Sequence, residues 1–561
     1  MAETLLSPGV LARETDQSFI QGQPVQAGAA IVGPAVKGPV GIPTLVTSFS
    51  EYEAIFGGTA TSASFQYSYL TRTSAQNYFS QGGNSLLVTR VQSGSFTSAT
   101  STTISTETGS ITNPFQLKTL DEGEIANSAT GTKDNVKWEI TGVSKENGTF
   151  SLLIRRGDDT HSQKNVLETF SNLSLDPKAS NYITKVIGDT SYSVAQDGTD
   201  YYVKSDGTYV NQSKYVRVSA VNHPTVDFFD NNGDFKPALT SSLPVAGSGS
   251  FSGAAGTLFD GQEAKFNDKI TSANIQGLGQ LDYTASLDLL TNKDDYRFNL
   301  ITVPGLNHND HATAVNKAVT LAEDRQDCIA VIDLEPYNAT VGNVTAQASS
   351  FNSSYAATYW PWLQTIESST AQTVWVPASA MIPGVYAFTD RSSEAWFAPA
   401  GLTRGALGNV TKAERKLTAG NRDSLYAANV NPIATFPGSG VVVFGQKTLQ
   451  KRASALDRVN VRRLLIELKS YISQISDNLV FEQNSIATRN SFLTQVNPYL
   501  EGIQQRQGLY AFKVVMDETN NTADVVDRNE LVGQIYLQPT KTAEFIMLDF
   551  NVTPTGASFP A

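Results

Sequence analysis

RFNLITVPGLNHNDHATAVNKAVTLAEDRQDCIAVID, residues 297–333, changes its hydrophobic period twice. RFNLITVPG reads as a strand that ends at a Pro-Gly turn. The next segment sets Ala312, Val315, Val319 and Ala322 on one face of a helix, and CIAVID reads as the next strand. Strand, helix and strand in succession call for a parallel sheet covered by helices. A doubly wound sheet is therefore expected to run on to about Gly445.

The pattern extends outward on both sides. Upstream, GAAIVG (28–33) reads as a strand, Ser50 with Glu53 as a capping box for a short helix over Tyr52–Phe56, and 65–79 as a longer helix ending at Gly82-Gly83. SLLVTRV (85–91) is the following strand. Downstream, a helical stretch is expected around Tyr355–Ile366, then a strand at TVWVP (373–377).

Composition shifts between about residues 93 and 256. Ser/Thr-rich runs lead into hairpin signals: VKWEITGV and TFSLLIRR flank Asn147-Gly148, while Asp197-Gly198 and Asp206-Gly207 lie among Tyr- and Val-rich runs. This segment reads as an all-β insertion closed by the Gly/Ser/Ala-rich linker 246–256.

The last quarter opens with a helix over about 453–481, whose Val461, Leu464, Leu465, Leu468, Ile472 and Ile475 form one stripe. A second helix is expected over 486–505, then strands at YAFKVVMD and LVGQIYLQ. TAEFIMLDFNV (542–552) follows. Period two places Ile546, Leu548, Phe550 and Val552 on one side, and Phe545 and Met547 on the other. So apolar a strand must dock, on its own domain or on another molecule's sheet edge. The opening, TLLSPGVLARETD (4–16), is likewise too polar and too short to fold alone and reads as an arm.

A chain of 561 residues exceeds one core, and a net charge of −12 with pI near 5.0 disfavours nucleic acid as the main partner. No basic leader region opens the sequence, and no apolar run reaches the roughly 20 residues needed to span a bilayer. A soluble protein made in a cytosol is expected. The single cysteine, Cys328, excludes an internal disulfide framework and reads as a buried thiol.

Enzyme motifs are sparse. No serine has glycine both two residues before and two residues after it, as a nucleophile elbow requires. A serine triad would need His161, His223, His308 or His311, none of which stands in a recognisable motif. His308 and His311 in NHNDH are spaced three apart, yet no Glu completes a His-Glu-x-x-His face, so both read as polar helix-entry residues with Asp310 able to cap. GVVVFGQKT (440–448) resembles a phosphate loop, but Gln446 separates glycine from lysine and VVVF reads as a strand. Neither metal nor cofactor is expected. Charge reverses locally between Gln446 and Ser470, where seven basic residues face two acidic ones. Such a run reads either as a solvated face or as a surface docked on an acidic partner.

Several stretches, in this order, resemble the tail sheath proteins of contractile-tailed phages. They are LLSPGV with RETD, IVGPAVKGPVGIP, FGG (56–58), VPG (303–305), AEDRQDCIAVID, YWPW (359–362), VPASAMIPGVYAFTD, AWFAPAG (395–401), NPI (431–433), NVRRLLIELKSYI, VFEQN and TAEFIMLDF. The resemblance implies an α+β multidomain chain: a subtilisin-like α/β core without a catalytic triad, an inserted all-β domain, and an α+β C-terminal domain with extended N- and C-terminal arms. The expected units are an exchanged arm at 1–26, the first part of the core at 27–92, an outer insertion at 93–256, the rest of the core at 257–445, a tube-facing domain at 446–541, and a donated strand with its tail at 542–561.

It further implies a non-enzymatic subunit of a helical stack of six-membered rings around an inner tube, with baseplate and tail terminator proteins as further partners. Neither direct nucleic acid contact nor stable membrane insertion belongs to that role. Leu5, Leu6, Val10, Leu11 and Arg13 would join Phe545, Ile546, Met547, Leu548, Phe550 and Val552 as strands exchanged between subunits, with 16–24 and 538–542 as hinges. Lys451, Arg452, Arg458, Arg462, Arg463 and Lys469 would face the tube. The particle would be a virion tail assembled in a host cytoplasm; a tailocin or an extracellular injection particle is the alternative. A hydrolase on the α/β domain, or a glycan-binding insertion using Tyr201, Tyr202 and Tyr209, are the rival readings.

Overall fold

The computed structural model describes residues 25–544 apart from 63–64, 108, 110, 199 and 258–268. Both arm strands, Leu5 to Arg13 and Phe545 to Val552, lie outside the described residues. The protein is a mixed α+β chain built on an eight-stranded sheet. The strands of that sheet are β1 (Ala29–Gly33), β2 (Thr44–Val46), β3 (Leu86–Arg90), β4 (Leu300–Asn307), β5 (Ile329–Asp333), β6 (Ala356–Trp360), β7 (Asn431–Phe436) and β8 (Gly440–Val443), in spatial order 8-7-6-5-4-1-3-2. From β3 to β7 all neighbours run parallel, and only the edge strands β2 and β8 are antiparallel.

Every residue of β1, β3, β4, β5 and β6 is buried. This is why these strands read as continuous apolar runs: helices cover both faces of a parallel sheet. Helices of eight or more residues are α1 (Phe49–Phe56), α2 (Leu70–Ser80), α3 (His308–Arg325), α4 (Val341–Ala348), α5 (Ala378–Ser392), α6 (Ala419–Ala427), α7 (Val459–Asp477) and α8 (Ile486–Gln505).

Four local expectations are corrected. No turn ends the strand at Pro304-Gly305: β4 runs on to Asn307 through a register shift after Thr302, with Gly305 at φ +98°. A side chain on Gly305 would press on Leu70 Cδ1 at 3.1 Å, so the bulge needs glycine in both respects. The first capping residue is Ser48, whose side chain accepts from Glu51 N–H, while Glu51 accepts from Thr47. Residues 65–67 are a strand paired with Ala60–Ser62, and α2 starts only at Leu70; the aromatic-rich FQYSY suits an extended chain better than a helix.

Around Tyr355–Ile366 no helix forms. AATYW enters the central sheet as β6, where no face meets water, and after Pro361 Leu363–Ile366 becomes the middle strand of a separate antiparallel sheet. TVWV (Thr373–Val376) and Val410–Ala413 flank it there.

Strands between Ser98 and Ser252 form two four-stranded sheets around Phe115, Trp138, Ile140, Phe150 and Val216, with short helices at Ile183–Ile187 and Pro237–Thr240. The ends of this region lie side by side, because Thr97 N–H donates to the Ala255 carbonyl at 3.0 Å. The hairpin Ser191–Asp197/Asp200–Asp206 leaves these sheets and packs Val194, Tyr201 and Val203 on the central core.

In the last quarter α7, α8 and an antiparallel ribbon, β9 (Leu509–Val515) with β10 (Gln534–Pro539), enclose Leu464, Leu468, Phe492, Val496, Leu500 and Trp396. Of the expected stripe of α7, Leu464, Leu468 and Ile475 lie in this core and Leu465 and Ile472 at its margin, while Val461 is buried outside it.

Candidate assembly surface

Leu509, Phe512, Val514, Ile535 and Leu537 turn toward the C-terminal core, whereas Tyr510 and Tyr536 stand in solvent. Among the described residues no third strand pairs with β9 or β10. Packed on α7 and α8, the ribbon is held as a pair, yet along its edges it presents backbone N–H and C=O groups that template a further strand.

The chain leaves this ribbon under tight control. Thr540 N–H donates to the Gly508 carbonyl at 3.2 Å, and Gln446 Nε2 donates to Thr542 Oγ1 at 2.7 Å. Glu544 then takes four donors: Arg458 Nε and Nη2 at 2.7 and 3.0 Å, Tyr426 O–H at 2.7 Å and Gln446 Nε2 at 3.1 Å. Burial alone would push its carboxyl up, but these donors outweigh it and hold the carboxyl below its ordinary range. Glu544, the last described residue, is thus fixed between the central sheet and α7.

Beside this exit lies an open groove of about 590 Å³, lined by Phe397, Ala400, Arg404, Arg422 and Phe444. The Arg404 guanidinium sits 5.2 Å from the Phe397 ring, and that of Arg422 sits 5.4 Å from Phe436 and 5.9 Å from Phe444.

The six basic residues do not share one open face. Lys451 and Arg452 are exposed, and Lys451 Nζ donates to the Ser349 carbonyl at 2.6 Å. Arg458 is engaged with Glu544. Arg462 and Arg463 are buried in the seam against the central domain: Arg462 stacks at 4.0 Å over Tyr355, and Arg463 donates to both carboxylate oxygens of Asp390 at 2.7 and 2.6 Å. Lys469 reaches Gln326 and the Tyr355 hydroxyl at 3.1 and 3.2 Å. Much of the local charge reversal on α7 therefore answers partners inside the chain. Helical spacing alone could not reveal this, since Asp390 and Tyr355 lie far off in sequence.

Enzyme chemistry finds little to build on. His311 is fully buried, with its ring bonded to the Thr271 carbonyl and the Asn307 N–H, and His308 bonds to Gln347. Asn307, not Asp310, caps α3, accepting from Asp310 N–H at 2.9 Å. Asp333, at the end of β5, accepts from the backbone and the hydroxyl of Ser379 at the start of α5; burial pushes its carboxyl up to about 7. No histidine bonds to Ser379 among the described residues, and none of their His, Cys, Asp and Glu side chains group to hold a metal ion. Gly440–Val443 is a strand, and Cys328 is buried. No helix among the described residues is long and apolar enough to cross a membrane. Tyr201 packs on the central core and Tyr202 is exposed, so the two do not form a joint aromatic platform.

Residues 276–449 match the family model of the phage tail sheath protein central domain, and residues 452–553 that of the phage tail sheath C-terminal domain. A tail sheath protein of Vibrio phage KVP40 is 37% identical over 254 residues, covering 45% of this chain and 38% of that protein. That of Enterobacteria phage T4 is 36% identical over 265 residues, covering 44% of this chain and 40% of its own. The chain thus spans about two fifths of the length of these curated relatives. In fold, it matches a sheath tail protein of Listeria innocua with a TM-score of 0.53 at 10% identity, over 92% of this chain and 95% of that one.

Proposed function

We propose that the chain is the structural subunit of a contractile sheath; its matches to the phage tail sheath central and C-terminal domain models support the reading. The observation that carries the reading is the open β9–β10 ribbon beside the clamped exit of an apolar strand. A chain that fixes Glu544 just before such a segment, yet offers a ribbon whose edges pair with no further strand among the described residues, is arranged to give a strand and to receive one. On this reading Phe545 to Val552 adds to a neighbour's ribbon and Leu5 to Arg13 of another subunit lies beside it. Backbone hydrogen bonds then hold while subunit bodies rotate about 16–24; the expected hinge at 538–542 is instead held by β10, Thr540 and Thr542, so at this end the rotation falls to the chain beyond Glu544.

The assembly is a helical stack of six-membered rings on an inner tube, with baseplate and terminator proteins at its ends, in a virion tail assembled in the host cytoplasm. The central domain is a subtilisin-like α/β fold that serves as a body and not as an enzyme. The extended sheath is metastable; release at the baseplate lets it shorten, form larger contacts and drive the tube through a cell envelope. Free energy is stored at assembly, so the cycle needs no nucleotide. Lys451 and Arg452, with the exposed parts of Arg458 and Lys469, are the cations of the basic segment left to face the tube; Arg462 and Arg463 would set the surface behind them. Tailocins and extracellular injection particles would use such a subunit in the same way.

The test is co-expression with a tube protein from the same particle, followed by electron microscopy across a salt series. Ring stacks around the tube, loosened from it as salt rises, are expected. A chain that stays monomeric with tube protein present overturns the reading.

A further inference from the structure

The turn between α7 and α8 carries VFEQN, residues 480–484, and its conformation is unusual. Phe481 is 103% exposed and sits at φ +69°, in the left-handed region that bulky side chains avoid. Val480 and Ile486 beside it are also exposed, at 61% and 62%.

The turn around Phe481 is held at several points. Glu482 N–H donates to the Leu479 carbonyl at 3.1 Å, and Thr488 Oγ1 donates to the Gln483 carbonyl at 2.7 Å. Asn484 Nδ2 donates to the Glu530 carbonyl at 2.8 Å, while its Oδ1 accepts from Nε of the buried Arg489 at 2.8 Å. Backbone in a disfavoured region persists where surrounding structure over-determines it, and such sites cluster where function requires them. Here the surrounding bonds hold a large apolar ring in water, where it stabilises nothing in its own fold. A rigidly presented aromatic flanked by aliphatic residues is the form of an interface anchor.

The same chain carries a matching receptor. The groove is open, with an apolar floor at Phe397, Ala400 and Phe444, the last 45% exposed, and with Asp423 and Glu544 beside Arg404 and Arg422 in its lining. At its rim, neither Arg404 nor Arg422 has a carboxylate partner among the described residues, and Glu482 at the tip has no cationic one. Knob and groove lie on different elements, so a one-way contact between them links copies head to tail and propagates as a ring or an open helix.

We propose that the α7–α8 tip of one copy docks in the Phe397–Phe444 groove of a second copy, with Phe481 filling the apolar floor and Glu482 meeting Arg404 and Arg422. The proposal rests on the homopolymer reading above and adds to it a side-chain contact separate from strand exchange.

The test places the photocrosslinker p-benzoylphenylalanine at position 481 of the full-length chain, irradiates assembled particles and maps the joined peptides. Crosslinks to 397–404 or 422–444 of another copy are expected. In parallel, Phe481→Ala should raise the concentration needed for assembly about tenfold with the monomer's thermal midpoint unchanged, and Glu482→Arg should be rescued by Arg404→Glu with Arg422→Glu. Polymers that form normally while residue 481 crosslinks to tube protein, to another surface, or to nothing overturn the proposal and leave the sheath reading standing. A wild-type chain that forms no polymer removes both.

Discussion

Arg458 grips Glu544 through two parallel bonds, Nε to Oε1 at 2.7 Å and Nη2 to Oε2 at 3.0 Å, 86 residues apart in sequence. This fork joins the start of α7 to the last described residue before the apolar C-terminal strand.

Glu544→Gln keeps the shape and removes the charge. With both side chains partly exposed, we expect the loss of about 1–2 kcal/mol locally. Because the folded carboxyl titrates below its ordinary 4.5, its stabilisation is present above that pH and fades as pH falls through the lower folded value. Hydrogen exchange of 540–544 reads this out: faster exchange in the variant at pH 7, and convergence of variant and wild type in strong acid. Equal protection at pH 7 would show that the clamp contributes nothing.

Arg463 and Asp390 tie α7 to α5. Asp390 is 42% exposed on its side chain, so Asp390→Ala should cost about 2 kcal/mol, less than for a fully buried pair, by leaving the Arg463 charge unanswered. Arg463→Lys should also destabilise, since an ammonium cannot reproduce the fork. Denaturant unfolding of both single variants and of the double variant checks the coupling: the double should cost less than the sum of the two.

The central sheet was legible because β1, β3, β4 and β5 are buried on both faces and leave apolar runs, and the stripe of α7 was legible because one face meets a core. The β6 segment nevertheless passed for a helix: a short buried run carries no period, and only the third dimension places AATYW between β5 and β7. Residues 65–67 failed similarly, their pairing with 60–62 lying outside any helical count. The Glu544 clamp was invisible for another reason. Its donors, Tyr426 on α6, Gln446 in the loop after β8 and Arg458 just before α7, come from separate stretches, and only folding assembles them. The basic segment misled because charge counts in sequence do not distinguish a solvated lysine such as Lys451 from an arginine answered by Asp390.

Asp333 makes the central domain sensitive to pH. Burial lifts its carboxyl from 3.8 to about 7, so the folded state favours the protonated form; this contribution is complete in acid and declines as pH rises between those values. The slope is about 1.4 kcal/mol per pH unit inside that window. Asp333→Asn should flatten the dependence between pH 5 and 7 while keeping an acceptor for the Ser379 N–H. Melting curves at several pH values test this; a variant with the wild-type slope would place the titration elsewhere.

The inserted strands support the core. Arg90, fully buried, donates to the Ala35 carbonyl at 3.2 Å and to the Glu122 carbonyl at 3.0 Å, and Val40 N–H donates to Glu122 Oε2 at 3.0 Å. Excising 98–254 and joining the adjacent ends would orphan part of the Arg90 guanidinium and uncover the surface beneath Val194, Tyr201 and Val203. We expect the midpoint of the remaining chain to fall by at least about 4 °C, read by differential scanning calorimetry. An unchanged midpoint would mean that the region is only an attachment.

Strand donation is tested most directly by ending the chain at Glu544, which retains the clamp and removes only the apolar strand and its tail. Electron microscopy of this truncation beside the full chain should show ring stacks or tubes for the full chain alone, with the truncation a folded monomer of matching thermal midpoint. Stacks of equal length from both chains would show that the segment from Phe545 onward is not what joins subunits.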